Sequence, residues 1–240
     1  AEIANATLSL RKSSLEMDAV AIIASLKPFN ENSLINFNRH LCAATNPPFG
    51  AKISIKDKDI LNQFELSVKN SRVVPRSPDT LFIEQNIKLL KPGKGRLAIV
   101  TPYQILSGPQ SSYIREWIIK NAEIISVVDL PDDTFQPHTG TKTSLLVLRR
   151  RMNPLENISD CENKRIFMAT PKWIGHDRRG NPIYRKSADD KFTNEILTDI
   201  PEISVAFHKY ENGKDPSKIY NQCFIVNMDK ILEDPLFHIN

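Results

Sequence analysis

Glycine is scarce in this sequence and is absent from its first 49 residues. Only eight glycines occur among 240 residues, and the first of them is Gly50. Glycine-rich loops that bind nucleotides or cofactors need this residue where the backbone turns sharply or approaches a phosphate closely. Residues 1–49 therefore cannot form such a loop.

Cysteine and histidine are also few, and neither forms a recognisable motif. The cysteines Cys42, Cys161 and Cys223 are widely spaced without a CxxC pair, and the five histidines include no HExxH motif. This pattern predicts reduced thiols in a cytoplasmic protein and no metal site.

Long apolar runs are missing. No run approaches the ~18 residues that a membrane-spanning helix needs, and the N-terminal residues lack the basic-then-apolar order of a secretory signal. We therefore expect no membrane association.

With 32 Lys and Arg against 28 Asp and Glu, the formal net charge is +4. This charge is compatible with a polyanionic partner but does not establish one.

The first half of the chain predicts helices followed by a buried strand. Apolar residues at helical spacing predict one or two helices within residues 3–26. The short apolar run from Leu41 to Thr45 ends abruptly at Asn46-Pro47-Pro48-Phe49-Gly50. It predicts a strand that leads into a rigid loop. Residues 51–77 show no clear period and predict an exposed loop.

Strands and helices alternate after this loop, which predicts an α/β fold. A helix from Pro78 is expected first, and then a strand at 97–100, a helix at 111–120 and strands at 124–130 and 144–148. Crossover helices predict parallel strands up to Val128. The last strand follows without a helix, so we expect it to form an antiparallel hairpin with its predecessor. The composition changes near residue 150, which predicts a domain over 1–150 and an extension over 151–240.

The Asn46-Pro47-Pro48-Phe49 sequence suits a reaction at a planar exocyclic amine. An asparagine carbonyl can accept one amino hydrogen and a main-chain carbonyl the other, which favours a tetrahedral nitrogen without a strong base. Pro47 and Pro48 lack N–H donors and have restricted φ, so their carbonyls stay fixed. Phe49 offers a ring face to a base taken out of its helix. The alternative is a Pro-Pro turn that only ends the strand.

Three blocks resemble, in order, the N6-adenine DNA methyltransferases, and in detail the modification subunits of type I restriction–modification systems. They are NPPFG at 46–50, PDTLFIEQNIKLLKPGKGRLAIV at 78–100 and VDLPDDTFQPHTGTKTSLLVLRR at 128–150. The segment IFMATPKWIGHDRRGNP at 166–182 resembles the stretch that follows the methyltransferase core. The resemblance covers roughly residues 41–182.

The resemblance implies a Rossmann-like fold that binds S-adenosylmethionine and methylates N6 of an adenine flipped out of double-stranded DNA. Asn46 and Pro47 would accept hydrogen bonds from the amino group, Pro48 would fix the loop, and Phe49 would stack on the base. Specificity and restriction subunits or domains are implied as partners, and residues 151–240 would lead towards a target-recognition region. No groove-reading helix is apparent in this sequence.

The chain departs from this family upstream of Asn46. Family members place a glycine-rich cofactor loop and three strands before the motif, whereas 45 glycine-free residues precede Asn46 here. Because one βαβ unit needs ~30 residues, we expect only the C-terminal half of a methyltransferase domain, inactive alone and without the cofactor-binding half. Two alternatives stay open: a non-catalytic DNA-binding or assembly component, and methylation of a protein glutamine amide.

Several basic residues are weaker candidates for DNA binding. Lys142 in the predicted hairpin loop, and Arg178 and Arg179 further along, could contact phosphates. A solvated surface is the alternative at each position. The sequence Gly140-Thr141-Lys142-Thr143 is not a phosphate-binding P-loop, because a predicted strand follows it where such a loop needs a helix.

Overall fold

The computed structural model describes residues 41–47 and 54–239. The helices predicted within 3–26, and Pro48 and Phe49 of the predicted loop, lie outside these residues. The described strands are β1 Cys42–Thr45, β2 Val68–Lys69, β3 Arg72–Val73, β4 Arg96–Pro102, β5 Ala122–Asp129, β6 Thr143–Arg150, β7 Arg165–Ala169, β8 Tyr184–Lys186, β9 Phe192–Ile196 and β10 Cys223–Asn227. The described helices are α1 Lys58–Leu61, α2 Pro78–Leu89, α3 Tyr103–Ser107, α4 Ser112–Asn121, α5 Ile200–Glu211 and α6 Met228–Leu232.

Six strands form one mixed sheet in the order β1-β4-β6-β5-β7-β10. The pairs β1–β4 and β5–β7 are parallel, whereas β6 is antiparallel to both of its neighbours. The predicted β5–β6 hairpin is thus confirmed. Strands β4 and β5 run in the same direction, as predicted, but they are not neighbours because β6 lies between them. Strand β6 follows β5 directly in the chain. It can lie between β4 and β5 because residues 143–148 are all buried, as a strand inside the sheet requires.

Helices cover both faces of the sheet, which confirms the predicted α/β class. Ile99, Leu146 and Leu148 pack on one face against α2, α4 and α6. Val100, Leu145 and Val147 pack on the other face against α5. Each such buried aliphatic side chain contributes about 2 kcal/mol through removal of apolar surface from water. None of the described helices is long and apolar enough to cross a membrane.

The sheet continues past the predicted domain boundary near residue 150. Strands β7 and β10 both follow this position, and they pair antiparallel with each other at one side of the sheet. The functional division into 1–150 and 151–240 stays a prediction, but position 150 is not a break in the sheet.

The segment between Asn46 and α2 was predicted as an exposed loop, and its described part holds α1 and the β2–β3 hairpin. The carboxylate of Glu84 is one of the groups that attach it to α2. Glu84 is fully buried and accepts hydrogen bonds of 2.8 Å from the backbone N–H groups of both Glu65 and Leu66. Lys88 Nζ donates to the same carboxylate at 2.6 Å. These charge-assisted bonds are stronger than ordinary amide bonds.

We expect Glu84→Ala to lower the free energy of unfolding by about 3 kcal/mol, because the buried N–H group of Leu66 and the partly buried N–H group of Glu65 lose their acceptor. Urea denaturation measures this loss. Glu116→Ala is the matched control, since it removes a partly exposed ion pair with Lys120 and should cost less than about 0.5 kcal/mol. Equal losses in the two variants would contradict the role given to Glu84.

Candidate active site

Strand β1 places Asn46 and Pro47 at the carboxyl edge of the sheet. Thr45 is in register with Ile99 of β4, so Asn46 and Pro47 follow at the level of the last residues of β4. Asn46 is exposed, whereas Pro47 is buried. Ligands of open α/β sheets bind outside the carboxyl ends of the strands. Asn46 is therefore accessible where a ligand is expected. The buried Pro47 holds the chain in place directly after it.

The antiparallel direction of β6 brings a second set of polar groups to this edge. The first residue of β6, Thr143, pairs with Pro102 at the end of β4. The next residue, Ser144, pairs with Asp129 at the end of β5. The ends of β4 and β5 and the start of β6 therefore meet beside the strand that carries Asn46.

Four residues at this edge form a connected group, which we name the edge cluster: Tyr103, Asp129, Lys142 and Ser144. Lys142 Nζ lies 3.0 Å from Asp129 Oδ2 and 4.1 Å from the centre of the Tyr103 ring. Ser144 Oγ donates to Asp129 Oδ1 at 3.1 Å. The backbone N–H of Tyr103 donates to the carbonyl of Lys142 at 2.9 Å. The edge cluster thus ties three strand ends together.

The charge of Lys142 is balanced inside the edge cluster. Partial burial lowers its pKa, but the hydrogen bond and charge of Asp129, helped by Tyr103 and Asp132, raise the pKa above the ordinary lysine value. Lys142 is therefore protonated at neutral pH with a carboxylate already beside it. Its predicted contact with a DNA phosphate stays a prediction.

Two buried hydroxyl groups lie next to this cluster in sequence. Thr101 and Thr143 are 1% and 0% exposed, and their Oγ1 atoms have no hydrogen-bond partner among the described residues. A buried hydroxyl without a partner is unusual and commonly marks bound water or a ligand. None of these threonines, nor Tyr103, Asp129 and Ser144, was predicted as a site residue from the sequence. The signal that could have identified them is the position of polar residues at the ends of otherwise apolar strands.

Arg178 and Arg179 lie in a turn that follows β7 at the same edge. Arg178 Nε is 2.9 Å from Asp133 Oδ1, in the loop between β5 and β6. Asp177 Oδ1 accepts from the N–H groups of Arg179 and Asn181 at 2.8 Å. The Arg179 side chain is exposed. The structure therefore places both predicted arginines at the carboxyl edge, on the side away from β1.

The described residues do not supply a complete site for S-adenosylmethionine. Nucleotide-like cofactors are held by glycine-rich turns and by a carboxylate that accepts from the ribose hydroxyls. Gly140 is the single glycine in the loop between β5 and β6, and the Asp129 carboxylate is occupied by Lys142 and Ser144. No group of three or more His, Cys, Asp and Glu side chains in the described ranges is placed to hold a metal ion.

Comparison with known proteins defines the class. A family model described as N-6 DNA Methylase matches residues 3–236, and the chain therefore belongs to the N-6 DNA methylase family. The match is wider than the resemblance over 41–182 that the motifs predicted.

Proteins from type I restriction–modification systems are similar to this chain in sequence or in fold. The chain is 31% identical over 103 residues to the type I restriction enzyme EcoEI methylase subunit of Escherichia coli, covering 42% of this chain and 19% of that protein. A type I methyltransferase subunit from Streptococcus thermophilus superposes with a TM-score of 0.55 at 16% identity, covering 87% of this chain and 39% of that one. A structure from a study of type I system assembly superposes with a TM-score of 0.58 at 20% identity, covering 96% and 40%.

These findings confirm the predicted likeness to type I modification subunits and the predicted methyltransferase fold. At 16% and 20% identity, the two superpositions establish the fold alone. The chain spans about two fifths of these structures and about a fifth of the curated relative.

We expect Lys142→Met to reduce stability in a pH-dependent way. The raised pKa of Lys142 means that its contribution is present below the unfolded-state pKa of about 10.4 and is lost as pH rises past the folded-state value. Because the Lys142 side chain is 39% exposed, the cost near neutral pH should stay under about 1 kcal/mol.

Urea denaturation at about pH 8 and about pH 11 checks this expectation. The difference between wild type and Lys142→Met should shrink at the higher pH. Lys94→Met is the control, since Lys94 is exposed and has no ion pair among the described residues. If the difference in free energy of unfolding between wild type and Lys142→Met were the same at both pH values, the contribution assigned to Asp129 would be contradicted.

Proposed function

We propose that the protein is a site-specific DNA methyltransferase of a restriction–modification system, which transfers a methyl group from S-adenosylmethionine to N6 of adenine. One observation carries the proposal. An exposed asparagine, Asn46, is followed by a buried proline, Pro47, at the carboxyl end of an apolar strand. Membership of the N-6 DNA methylase family supports it.

The chemistry at this corner concerns the amino group of the base. Its nitrogen is a poor nucleophile because the lone pair is delocalised into the purine ring. Asn46 Oδ1 would accept one amino hydrogen, and the main-chain carbonyl of Pro47 would accept the other. Together these acceptors favour a tetrahedral nitrogen whose lone pair is directed away from the ring. S-adenosylmethionine supplies the methyl group.

The corner is suited to this task because its acceptors are held in place. Pro47 is buried and, as a proline, has a restricted φ and no N–H that could compete for its neighbours. Acceptors and donors that need no rearrangement during the reaction contribute most to catalysis. We propose, from the resemblance, that Pro48 fixes the loop and that Phe49 stacks on the flipped adenine.

Double-stranded DNA is the proposed substrate, and specificity and restriction subunits or domains are the proposed partners. The relatives described as type I methylase subunits support this assignment. Arg178, Arg179 and Lys142 are proposed to contact phosphates. Of these, Arg179 has the most accessible charge, because Arg178 and Lys142 already have carboxylate partners.

A second candidate function is a non-catalytic DNA-binding or assembly component with a methyltransferase fold. The observation in its favour is that the described residues at the carboxyl edge lack a glycine-rich turn, and that the Asp129 carboxylate there is already paired with Lys142 and Ser144.

Substitution of Asn46 tests the first proposal. In the full-length native protein with its partners, we expect Asn46→Ala to reduce transfer by at least about a hundredfold, the effect of removing one fixed hydrogen-bonding group. The substrate is genomic DNA free of N6-methyladenine, and the product is quantified by mass spectrometry after nuclease digestion. DNA affinity should change by less than about twofold, because Asn46 contacts only the flipped base.

Asn153→Ala is the matched control, since Asn153 is also exposed and also precedes a proline. It should leave transfer unchanged. Methylation that persists in Asn46→Ala would contradict the role assigned to Asn46.

Cofactor binding separates the two candidate functions. We expect the native protein to bind labelled S-adenosylmethionine saturably, and Asn46→Ala to bind it with unchanged affinity, because Asn46 is assigned to the base and not to the cofactor. Equilibrium dialysis measures both affinities. Native protein that binds DNA but shows no saturable cofactor binding would favour the non-catalytic component.

A further inference from the structure

Arg115 on α4 is a fully buried cation. Its side chain is 0% exposed, although charged side chains are almost never fully buried unless they are paired. Burial lowers the pKa of Arg115, but a guanidinium stays protonated in a protein at neutral pH. The charge and the N–H groups of this residue must therefore be satisfied inside the protein.

Backbone carbonyl groups from two separate segments accept the hydrogen bonds of Arg115. Nη1 donates to the carbonyls of Ile105 and Gly108, both at 2.8 Å. Nε and Nη2 donate to the carbonyl of Leu236 at 2.9 and 2.6 Å. Hydrogen bonds from a charged donor are about twice as strong as neutral ones. Arg115 therefore joins the backbone in and after α3 to the backbone that follows α6.

Residues 234–239, which we name the strap, are ordered by their own contacts. The Asp234 carboxylate accepts from the backbone N–H of Leu236 at 2.9 Å. The N–H of Ile239 donates to the carbonyl of Leu106 in α3 at 3.1 Å, and the Ile239 side chain is fully buried. The strap therefore holds α3 directly as well as through Arg115.

Helix α3 depends on such contacts for its position because it is very short. It has five residues, Tyr103–Ser107, whereas isolated helices shorter than about 12 residues are marginal in water. Different groups hold its two ends. Arg115 and the strap bind carbonyls of its C-terminal part, and Lys142 binds Tyr103 at its N-terminal end.

Tyr103 connects this helix to the carboxyl edge of the sheet. It directly follows Pro102, the last residue of β4, and β4 is the neighbour of the strand that precedes Asn46. Its N–H donates to the Lys142 carbonyl at 2.9 Å, and its ring centre lies 4.1 Å from Lys142 Nζ. Ile105, which Arg115 binds, is only two residues further along. A change in the position of α3 would therefore move Tyr103 at the edge where Asn46 lies.

We infer that Arg115 is a positioning residue for the carboxyl edge: it fixes α3 against the strap and thereby holds Tyr103 in contact with Lys142. The inference rests on the proposed function insofar as this edge carries the methyl transfer. Because Arg115 is fully buried, it acts only through the residues that it holds. Misplacement of a site by about 1 Å can lower a rate about a hundredfold, even when the substituted residue is far from the reacting atoms.

Arg115→Lys tests this inference in the full-length native protein with its partners. Lysine keeps the charge but lacks the planar fork that binds carbonyls of two segments at once. We expect hydrogen exchange at the Tyr103 N–H to become at least about tenfold faster, because α3 is held less firmly. The N–H of Leu130 donates to the Thr143 carbonyl at the same edge, and its exchange should stay within about twofold. Mass spectrometry that resolves single amides measures both rates.

The same variant should also transfer methyl groups more slowly. We expect the rate at saturating DNA and S-adenosylmethionine to fall about tenfold, while KM for DNA stays within about twofold. Arg151→Lys is the matched control, since the Arg151 side chain is 12% exposed and donates to the Ile119 carbonyl at 3.0 Å, at the amino edge of the sheet. It should change neither Tyr103 exchange nor the transfer rate.

Asp234→Ala is a second variant, which replaces Arg115→Lys if that protein fails to fold, as judged by thermal denaturation. The Asp234 side chain is 30% exposed, and it orders the strap through the Leu236 N–H. We expect it to change Tyr103 exchange and the transfer rate in the same direction by about threefold, the effect of one hydrogen bond. In a folded Arg115→Lys background, Asp234→Ala should add less than about twofold, because both substitutions then release the same contact.

The outcomes separate positioning from general stability and from the proposed reaction. Unchanged exchange at Tyr103 in folded Arg115→Lys would overturn the inference. Equal acceleration at Tyr103 and Leu130, or a normal transfer rate despite faster Tyr103 exchange, would overturn it as well. If the native protein does not methylate DNA, the proposed function is refuted, whereas selective exchange at Tyr103 would still support the placement of Tyr103 by Arg115.

Discussion

The insertion of β6 between β4 and β5 is the constraint on which the rest of the structure depends. It runs antiparallel to both neighbours, so its first residue lies where theirs end. A parallel strand in this position would place its first residue at the opposite edge, and Lys142 could not meet Asp129. The buried apolar run of β6 stabilises this arrangement from both faces of the sheet. The polar groups of the carboxyl edge are thus brought together by hydrophobic packing.

The two edges of the sheet carry different chemistry as a result. At the amino edge, Gly93 adopts φ +71° in the turn before β4, and charges such as Arg96 and Glu211 pair with each other at 2.6 Å. At the carboxyl edge, Asn46 remains exposed and two buried hydroxyls have no partner among the described residues. Satisfied polar groups stabilise a fold, whereas unsatisfied ones are more common where a ligand or water completes the site. This contrast favours the carboxyl edge as the functional one.

Local features of the fold could be predicted from the sequence, and long-range ones could not. The strand before Asn46, the helix from Pro78 and the β5–β6 hairpin follow from short apolar runs bounded by proline, glycine or asparagine. The position of β6 between β4 and β5 depends on pairing between residues far apart in the chain. The spacing of apolar residues within one segment cannot predict such pairing. The Asp129–Lys142 pair depends on that same register.

Phe192 and Asn46 are both more exposed than a residue that only stabilised the fold would be. A side chain that only stabilised the fold would gain by burial, and Phe192 loses that gain at 74% exposure. Asn46 lies at the end of a strand whose other residues are partly buried, yet its own amide is accessible. Exposure of Asn46 gives no packing stability, and it leaves this side chain open to contact from outside the chain at the edge where the edge cluster lies.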